Sequence, residues 1–316
     1  MIYSVLQVVI GLVAIIISAD RLVAGASSLA RYFGVSTLLV GLTVISLGTS
    51  SPEFVVTLMA SLHDNAGLAV GSAVGSNIAN IALIVGACAL IRPVLVDKAL
   101  IFEQLPALII LNITACLTLY LFSLSTLSGV IFSLMTLGYL LFLYLLSRRG
   151  LSQQPLIQTN DLPPVINPRY AAIWLIFGLI VLPVSADYFV LGATNIARGV
   201  GVSDFVIGLS MVAIGTSLPE LAASIAAMYR KEDAMVIGNV VGSNIFNLTL
   251  VLVPPSFLSH QTLSSTLFTR DIPIMLGLTF ILMFSSYARH KHGVISRLEG
   301  SCLLFFFVSY LIFILT

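Results

Sequence analysis

The feature of this sequence that most restricts its fold is a succession of ten long apolar runs separated by short polar breaks. A helix needs about 20 mostly apolar residues to cross a bilayer, and it satisfies its own backbone hydrogen bonds inside the lipid. The runs cover residues 4–30, 36–61, 67–91, 102–123, 126–147, 170–197, 203–228, 234–257, 271–288 and 294–316. Hydrophobic residues make up 59% of the chain and charged residues 9%, unlike a soluble domain. The sequence therefore predicts an all-α membrane protein with ten transmembrane helices.

The distribution of Lys and Arg predicts the orientation of these spans, because positive residues in short loops stay on the cytoplasmic side. When the loops are assigned to alternate sides, one side has only Arg198 and Arg270. The other side collects Arg31, Arg92, Lys98, Arg148, Arg149, Arg169, Arg230, Lys231, Arg289, Lys291 and Arg297. Both termini are therefore predicted to lie outside the cytoplasm. The net charge of +1 and the absence of a basic cluster give no indication of a nucleic-acid partner.

The chain repeats itself at a fixed distance of 167 residues. The sequence GTSSPE at residues 48–53 recurs as GTSLPE at 215–220, and GSNIAN at 75–80 recurs as GSNIFN at 242–247. Apolar packing alone would not preserve polar hexapeptides twice in one chain. We therefore predict two structurally related halves.

Each half contains five predicted spans, and an odd number means that the second half enters the membrane from the opposite side. The prediction is a first inverted repeat at 1–147, a cytoplasmic linker at 148–169 and a second inverted repeat at 170–316. Inverted repeats are typical of secondary transporters, whose sites form at the membrane midplane where interrupted helices meet.

A proline followed by a glutamate lies in the middle of spans two and seven. Pro52 and Pro219 each remove a backbone donor and clash with the preceding turn, so we expect both helices to be broken there. Glu53 and Glu220 would then be carboxylates at mid-membrane depth, which are costly and functional by default. No Lys or Arg lies at that depth in these spans to pair with them.

The polar residues around the two glutamates form a ligand set made only of oxygen atoms. Within each motif Thr and Glu are four residues apart and Ser and Glu three, which predicts one shared helix face. The same helical spacing recurs in Ser76 with Asn80 and Ser243 with Asn247. Such a set suits Ca2+, which prefers six to eight oxygen ligands. The lack of accompanying His or Cys argues against zinc or copper.

The paired GTSxPE and GSNIxN motifs resemble the two alpha-repeats of the cation/calcium exchanger superfamily, in particular its prokaryotic sodium/calcium exchanger branch. The resemblance covers nearly the whole chain. It implies a ten-helix fold in which helices two, three, seven and eight build the cation sites and helices one and six slide as gates. It also implies a prokaryotic inner membrane, and no large cytosolic calcium-sensing insertion is present.

By motif position, the resemblance assigns side-chain and carbonyl ligands to this sequence. They are Thr49, Ser50, Glu53, Thr216, Ser217, Glu220, Ser76, Asn80, Ser243 and Asn247, with the carbonyls of Ser46 and Ala213. Some relatives carry Asp at the position of Asn247, so an ion count or proton role cannot be transferred from them to this chain.

The predicted function is secondary active exchange of Ca2+ for Na+ by alternating access at the glutamate pair. Ca2+/H+ antiport is the alternative, and a passive cation channel fits two inverted repeats poorly. No catalytic constellation, cofactor or protein partner is evident. Asp20 and Asp187, nearer the helix ends, are candidates for a gating or ion-entry role.

Overall fold

The computed structural model describes residues 2–96, 100–148, 166–201, 215–259, 263–287 and 293–315. The helices are numbered here by the predicted span that each represents. They are α1 (Ile2–Phe33), α2 (Thr37–Thr49 and Ser51–Leu62), α3 (Ala66–Ile91), α4 (Leu100–Phe122), α5 (Thr126–Arg148), α6 (Pro168–Gly199), α7 (Leu218–Tyr229), α8 (Asp233–Leu258), α9 (Leu267–Tyr287) and α10 (Arg297–Leu315). The chain is thus an integral membrane protein built almost entirely of helices.

Within the described residues, eight helices are long and apolar enough to cross a bilayer, and the two halves of α2 form a ninth, bent span. The seventh predicted span is represented by α7, and residues 202–214 of that region lie outside the described residues. Most of the predicted linker, residues 149–165, also lies outside them.

Helices α3 and α8 form the centre of the molecule. In their apolar stretches 72% and 89% of the residues are buried, compared with 17% to 39% in the other six long helices. These two innermost helices carry the GSNIAN and GSNIFN motifs. The polar hexapeptides are therefore placed where lipid does not reach, while the outer helices present apolar side chains to the bilayer.

Two short strands were not predicted from the sequence. The last predicted span was expected to begin at residue 294, but residues Gly293–Ile295 form strand β2, and α10 begins at Arg297. Strand β2 pairs antiparallel with β1 (Val94–Val96), with Val94 opposite Ile295. Strands of three residues are too short to give a periodic pattern in the sequence, and their pairing is a long-range contact. The pair joins the segment after α3 to the segment before α10.

Helices α1 and α6 pack against each other in antiparallel fashion through glycine notches. A side chain cannot be added at these glycines without meeting the opposite helix, because a Cβ would lie 2.5–2.9 Å from its atoms. The contacts are Gly11 with Phe189, Gly178 with Leu22, Gly25 with Leu175 and Gly192 with Val8. These contacts are related by the 167-residue repeat: the equivalents of Gly11 and Phe189 are Gly178 and Leu22, which also contact each other. The other two contacts are related in the same way. The interface is therefore locally two-fold symmetric.

The backbone conformation follows the same relation. Positive φ angles occur at Gly34 (68°) and Gly201 (89°), which end α1 and α6 and are 167 residues apart. They occur also at Asp64 (52°) and Lys231 (60°), in the turns before α3 and α8, with the same separation. The turns at equivalent places in the two halves of the chain thus share the same left-handed backbone conformation.

Glycines also bring the first half of α2 against α8. A Cβ on Gly238 would lie 2.7 Å from the Leu38 carbonyl oxygen, and one on Gly242 would lie 2.6 Å from Ser46 Oγ. Small residues at these two positions allow the two helix backbones to approach closely. It places the backbone of α8 directly beside the segment that leads into the GTSSPE motif.

Candidate cation-binding site

The first element of the site is the break in α2. The first half ends at Thr49, Ser50 has φ −81° and ψ 6°, and the second half begins at Ser51 with Pro52 in its first turn. The two halves are bent by 42°, which confirms the predicted break. The carbonyl that the proline opens is not left free, however, because Ser51 Oγ donates to the Gly48 carbonyl oxygen at 2.8 Å.

The α7 motif has the same local structure. Thr216 and Ser217 form a turn, and helix α7 begins at Leu218 with Pro219 in its first turn. Each glutamate therefore lies in the first turn of a helix, where the partial positive charge of the helix N-terminus favours a carboxylate.

The two glutamates are buried, and no ionic partner lies beside them among the residues that the structure describes. Glu53 is 1% exposed and Glu220 is 0% exposed. The ion pairs found in the described part of the chain are Arg31–Glu232, Arg92–Asp233, Arg230–Asp20 and Arg270–Asp271. None of them includes either glutamate, so no basic side chain in that part of the chain neutralises this carboxylate pair.

The hydroxyl groups reach across between the two motifs, and the spacing within each motif does not predict this pairing. Ser50 Oγ, in the α2 motif, donates to Glu220 Oε1 in the α7 motif at 3.0 Å. Thr216, in the α7 motif, lies beside the Glu53 carboxylate. Ser76 on α3 joins this group, with its Oγ 3.4 Å from Glu53 Oε1 and 3.4 Å from Thr216 Oγ1.

Asparagines on α3 and α8 connect the two central helices. Asn77 Nδ2 donates to the Asn244 carbonyl oxygen and Asn80 Nδ2 donates to Asn244 Oδ1, both at 3.0 Å. Asn77 and Asn244 are 167 residues apart, so equivalent residues meet each other directly. The predicted ligand set does not include these two asparagines, although the repeated motif contains both.

Several buried oxygen atoms of the predicted ligands have no hydrogen-bond partner within the described ranges. They are Glu53 Oε2, Glu220 Oε2, Ser217 Oγ, Ser243 Oγ, Asn80 Oδ1 and Asn247 Oδ1. Buried polar atoms are normally satisfied, and six oxygens of this kind match the donor set of a hard cation. No three His, Cys, Asp or Glu side chains come together in the part of the chain that the structure describes, so the remaining donors around the carboxylates are neutral.

The predicted ligands that can be located are all at most 9% exposed. This group comprises Ser46, Thr49, Ser50, Glu53, Ser76, Asn80, Thr216, Ser217, Glu220, Ser243 and Asn247. Ala213 lies outside the described residues. The Ser46 carbonyl accepts a hydrogen bond from the Ser50 amide at 2.9 Å and keeps a second lone pair.

A further buried residue, Asn239, contacts Thr49 and the Glu220 backbone. Nothing in the first repeat indicates it, because the equivalent residue, 72, is a serine.

The two aspartates proposed as gating residues lie away from this cluster. Asp20 accepts hydrogen bonds from Arg230 Nε at 2.9 Å and Nη2 at 2.7 Å, which joins α1 to the turn between α7 and α8. Asp187 is exposed on α6.

Comparisons with known proteins agree with this arrangement. Residues 3–147 and 170–316 match the family described as "Sodium/calcium exchanger protein". The putative antiporter CaxA of Alkalimonas amylolytica is 38% identical over 98% of both chains. The inner membrane protein YrbG of Escherichia coli K12 is 38% identical over 92% of this chain and 90% of its own.

A solved structure of the sodium-calcium exchanger NCX_Mj superposes on 98% of this chain and 97% of its own, with a TM-score of 0.82 and 31% identity. The similar proteins are thus a putative antiporter, an inner membrane protein and a sodium-calcium exchanger. On the family match, the relatives and the shared fold, the chain belongs to the sodium/calcium exchanger family of membrane ion antiporters.

Proposed function

We propose that this protein exchanges Ca2+ for Na+ across a membrane by alternating access, at one midplane site centred on Glu53 and Glu220. The observation that carries the proposal is the buried carboxylate pair, which contacts hydroxyl groups from both motifs and has no ionic partner in the described residues. A buried charge needs a counter-charge, and a transported cation supplies it.

The proposed ligands are the carboxylates with neutral oxygens from four helices. They are Thr49, Ser50, Ser76, Asn80, Thr216, Ser217, Ser243 and Asn247, with the carbonyls of Ser46 and Ala213. The unpartnered buried oxygens among them support this assignment, because they can be satisfied by a cation.

Exchange follows from the charge of the site. One Ca2+ neutralises two carboxylates, and Na+ ions compete for the same oxygens. Without a cation, two carboxylates would be uncompensated in a low-dielectric interior, at a cost of at least about 2.5 kcal/mol each on insertion scales. The occluded state is therefore reached with ions bound, and return of the empty site is disfavoured. This couples the flux of one ion to that of the other.

The proposed architecture is ten spans in two inverted repeats, 1–147 and 170–316, joined by a linker at 148–169. It is supported by the contacts between equivalent residues, such as Asn77 with Asn244 and Asn112 Nδ2 with Thr279 Oγ1 at 3.3 Å. Residues near a two-fold axis meet their own equivalents in this way. Helices α1 and α6, which pack on each other symmetrically, are the proposed gates.

We further propose a prokaryotic inner membrane, with both termini outside the cytoplasm. The name of the E. coli relative, an inner membrane protein, supports the location, and the Lys and Arg distribution supports the orientation. The relatives are named as exchangers and antiporters, which supports transport over catalysis.

The test is 45Ca2+ uptake into proteoliposomes of the purified protein. Sodium-loaded vesicles in sodium-free buffer are expected to accumulate Ca2+, and vesicles without internal sodium are not. A pH gradient at equal sodium should not replace the sodium gradient. Uptake that follows only the pH gradient would instead identify a Ca2+/H+ antiporter, and uptake with neither gradient would identify a passive channel.

A further inference from the structure

Asn239 links three helices at the edge of the proposed site. It lies on α8, one turn before Ser243, and is 1% exposed. Its Oδ1 accepts a hydrogen bond from Thr49 Oγ1 at 3.2 Å. Its Nδ2 donates to the Glu220 carbonyl oxygen at 3.3 Å and to Ser224 Oγ at 3.1 Å.

These partners fix the orientation of the amide. The Glu220 carbonyl oxygen can only accept a hydrogen bond, so the Asn239 nitrogen must face it. The amide oxygen is then the atom that faces Thr49. Because that oxygen can only accept, Thr49 must be the donor in this contact.

The direction of this hydrogen bond matters for cation binding. A hydroxyl group that binds a cation does so with its oxygen lone pairs, and its single proton must point elsewhere. The other acceptors near Thr49 are the Ser46 carbonyl, at 3.5 Å, and the Glu220 carboxylate. Both are themselves proposed cation ligands. Asn239 is an acceptor outside the ligand set, so it takes the proton without occupying a ligand.

The first repeat lacks this arrangement. The residue equivalent to Asn239 is Ser72, and the residue equivalent to Ser224 is Thr57. Neither hydroxyl has a hydrogen-bond partner in the described part of the chain. A serine has one short hydroxyl group, whereas the asparagine spans a donor on one helix, Thr49, and two acceptors on another. The support for the site is thus stronger on one side of the two-fold relation.

We propose that Asn239 is a positioning residue for the cation site. It directs the Thr49 proton away from the ion and holds α8 to the backbone of Glu220, so that it sets the affinity for Ca2+ through Thr49. This inference rests on the proposed function, in which Thr49 is a ligand.

The experiment measures initial rates of sodium-driven 45Ca2+ uptake against Ca2+ concentration for the wild type, Asn239→Ala, Thr49→Val and the double variant. Asn239→Ala should raise the KM for Ca2+ about tenfold, equivalent to about 1.4 kcal/mol, with little change in the maximal rate per folded protein. In the Thr49→Val background the same substitution should change KM less than twofold, because the residue through which it acts is gone.

Two further variants separate positioning from folding. Asn112→Ala removes another fully buried asparagine, which donates to Thr279 away from the site, and it should leave KM unchanged. Asn239→Ser copies the first repeat and should raise KM as alanine does, which keeps the test available if the alanine variant does not fold.

The inference is overturned if the folded Asn239 variants keep the wild-type KM. It is also overturned if the fold-change in KM of the double variant equals the product of the fold-changes of Asn239→Ala and Thr49→Val. A wild type that shows no sodium-driven uptake would overturn the proposed function itself, so the two failures are distinguishable.

Discussion

Substitution of Gly178 by alanine should force α1 and α6 apart. A Cβ at this position would lie 2.5 Å from Leu22 Cβ and 2.7 Å from Leu22 Cα, whereas carbon atoms in contact are about 3.5–4.0 Å apart. Because the Leu22 Cα belongs to the backbone, no rotamer change relieves the clash, and the helices must separate by about 1 Å. Overpacking of this kind costs about 1–3 kcal/mol.

The matched control is Gly138→Ala on α5, since outside its own helix no heavy atom of the described chain lies within 4 Å of a Cβ there. Alanine favours a helix over glycine by about 1 kcal/mol, and the control measures that gain without a clash. The free energy of unfolding should be measured by SDS titration in mixed micelles. We expect Gly178→Ala to be less stable than the control by about 1–3 kcal/mol. Equal stability of the two variants would refute the tight packing of α1 on α6.

Two other predictions concern polar contacts between different segments of the chain. Ser50→Ala removes the hydroxyl that donates to Glu220 and should raise the KM for Ca2+ at least about tenfold, because a hydrogen bond to a charged group contributes about 1.5–3 kcal/mol. Ser51→Ala removes an exposed hydroxyl that donates to the Gly48 carbonyl and should leave KM unchanged, and equal effects of the two substitutions would contradict the assignment. Arg92→Gln should lower the melting temperature, because the Asp233 side chain is 2% exposed and loses its ionic partner. The expected loss in the free energy of unfolding is about 1–3 kcal/mol, since the arginine of the pair is partly exposed. Adding Asp233→Asn should restore much of that loss, and no restoration would argue against the ion pair.

The sequence predicts those parts of the fold that depend on local physics. A run of apolar residues long enough to cross the bilayer is a one-dimensional property, and the helices described by the structure fall on the predicted runs. The break in α2 follows in the same way from Pro52, because a proline inside a helix removes a backbone donor wherever the helix lies. The carbonyl cap by Ser51 could not be expected from the repeat, since residue 218 in the second motif is a leucine.

The composition of the candidate site could be predicted from the repeat, but its pairing could not. Sequence spacing gives the hydroxyl and the carboxylate that share a helix face, whereas Ser50 contacts the glutamate of the other motif. That contact depends on how four helices meet at the centre, which no local pattern contains. Asn239 was missed for a related reason, because its equivalent is Ser72 and self-comparison reveals only what the two halves share. The β1–β2 pair likewise depends on segments nearly 200 residues apart.

The central claim is that Ca2+ and Na+ compete for one site built on Glu53 and Glu220, and equilibrium 45Ca2+ binding to the purified protein tests it most directly. Binding should be displaced by Na+ and lost in both Glu53→Gln and Glu220→Gln. It should persist in Glu299→Gln, a carboxylate that accepts from Ser296 at the start of α10. Binding that ignores Na+, or that survives loss of either central glutamate, would contradict the account.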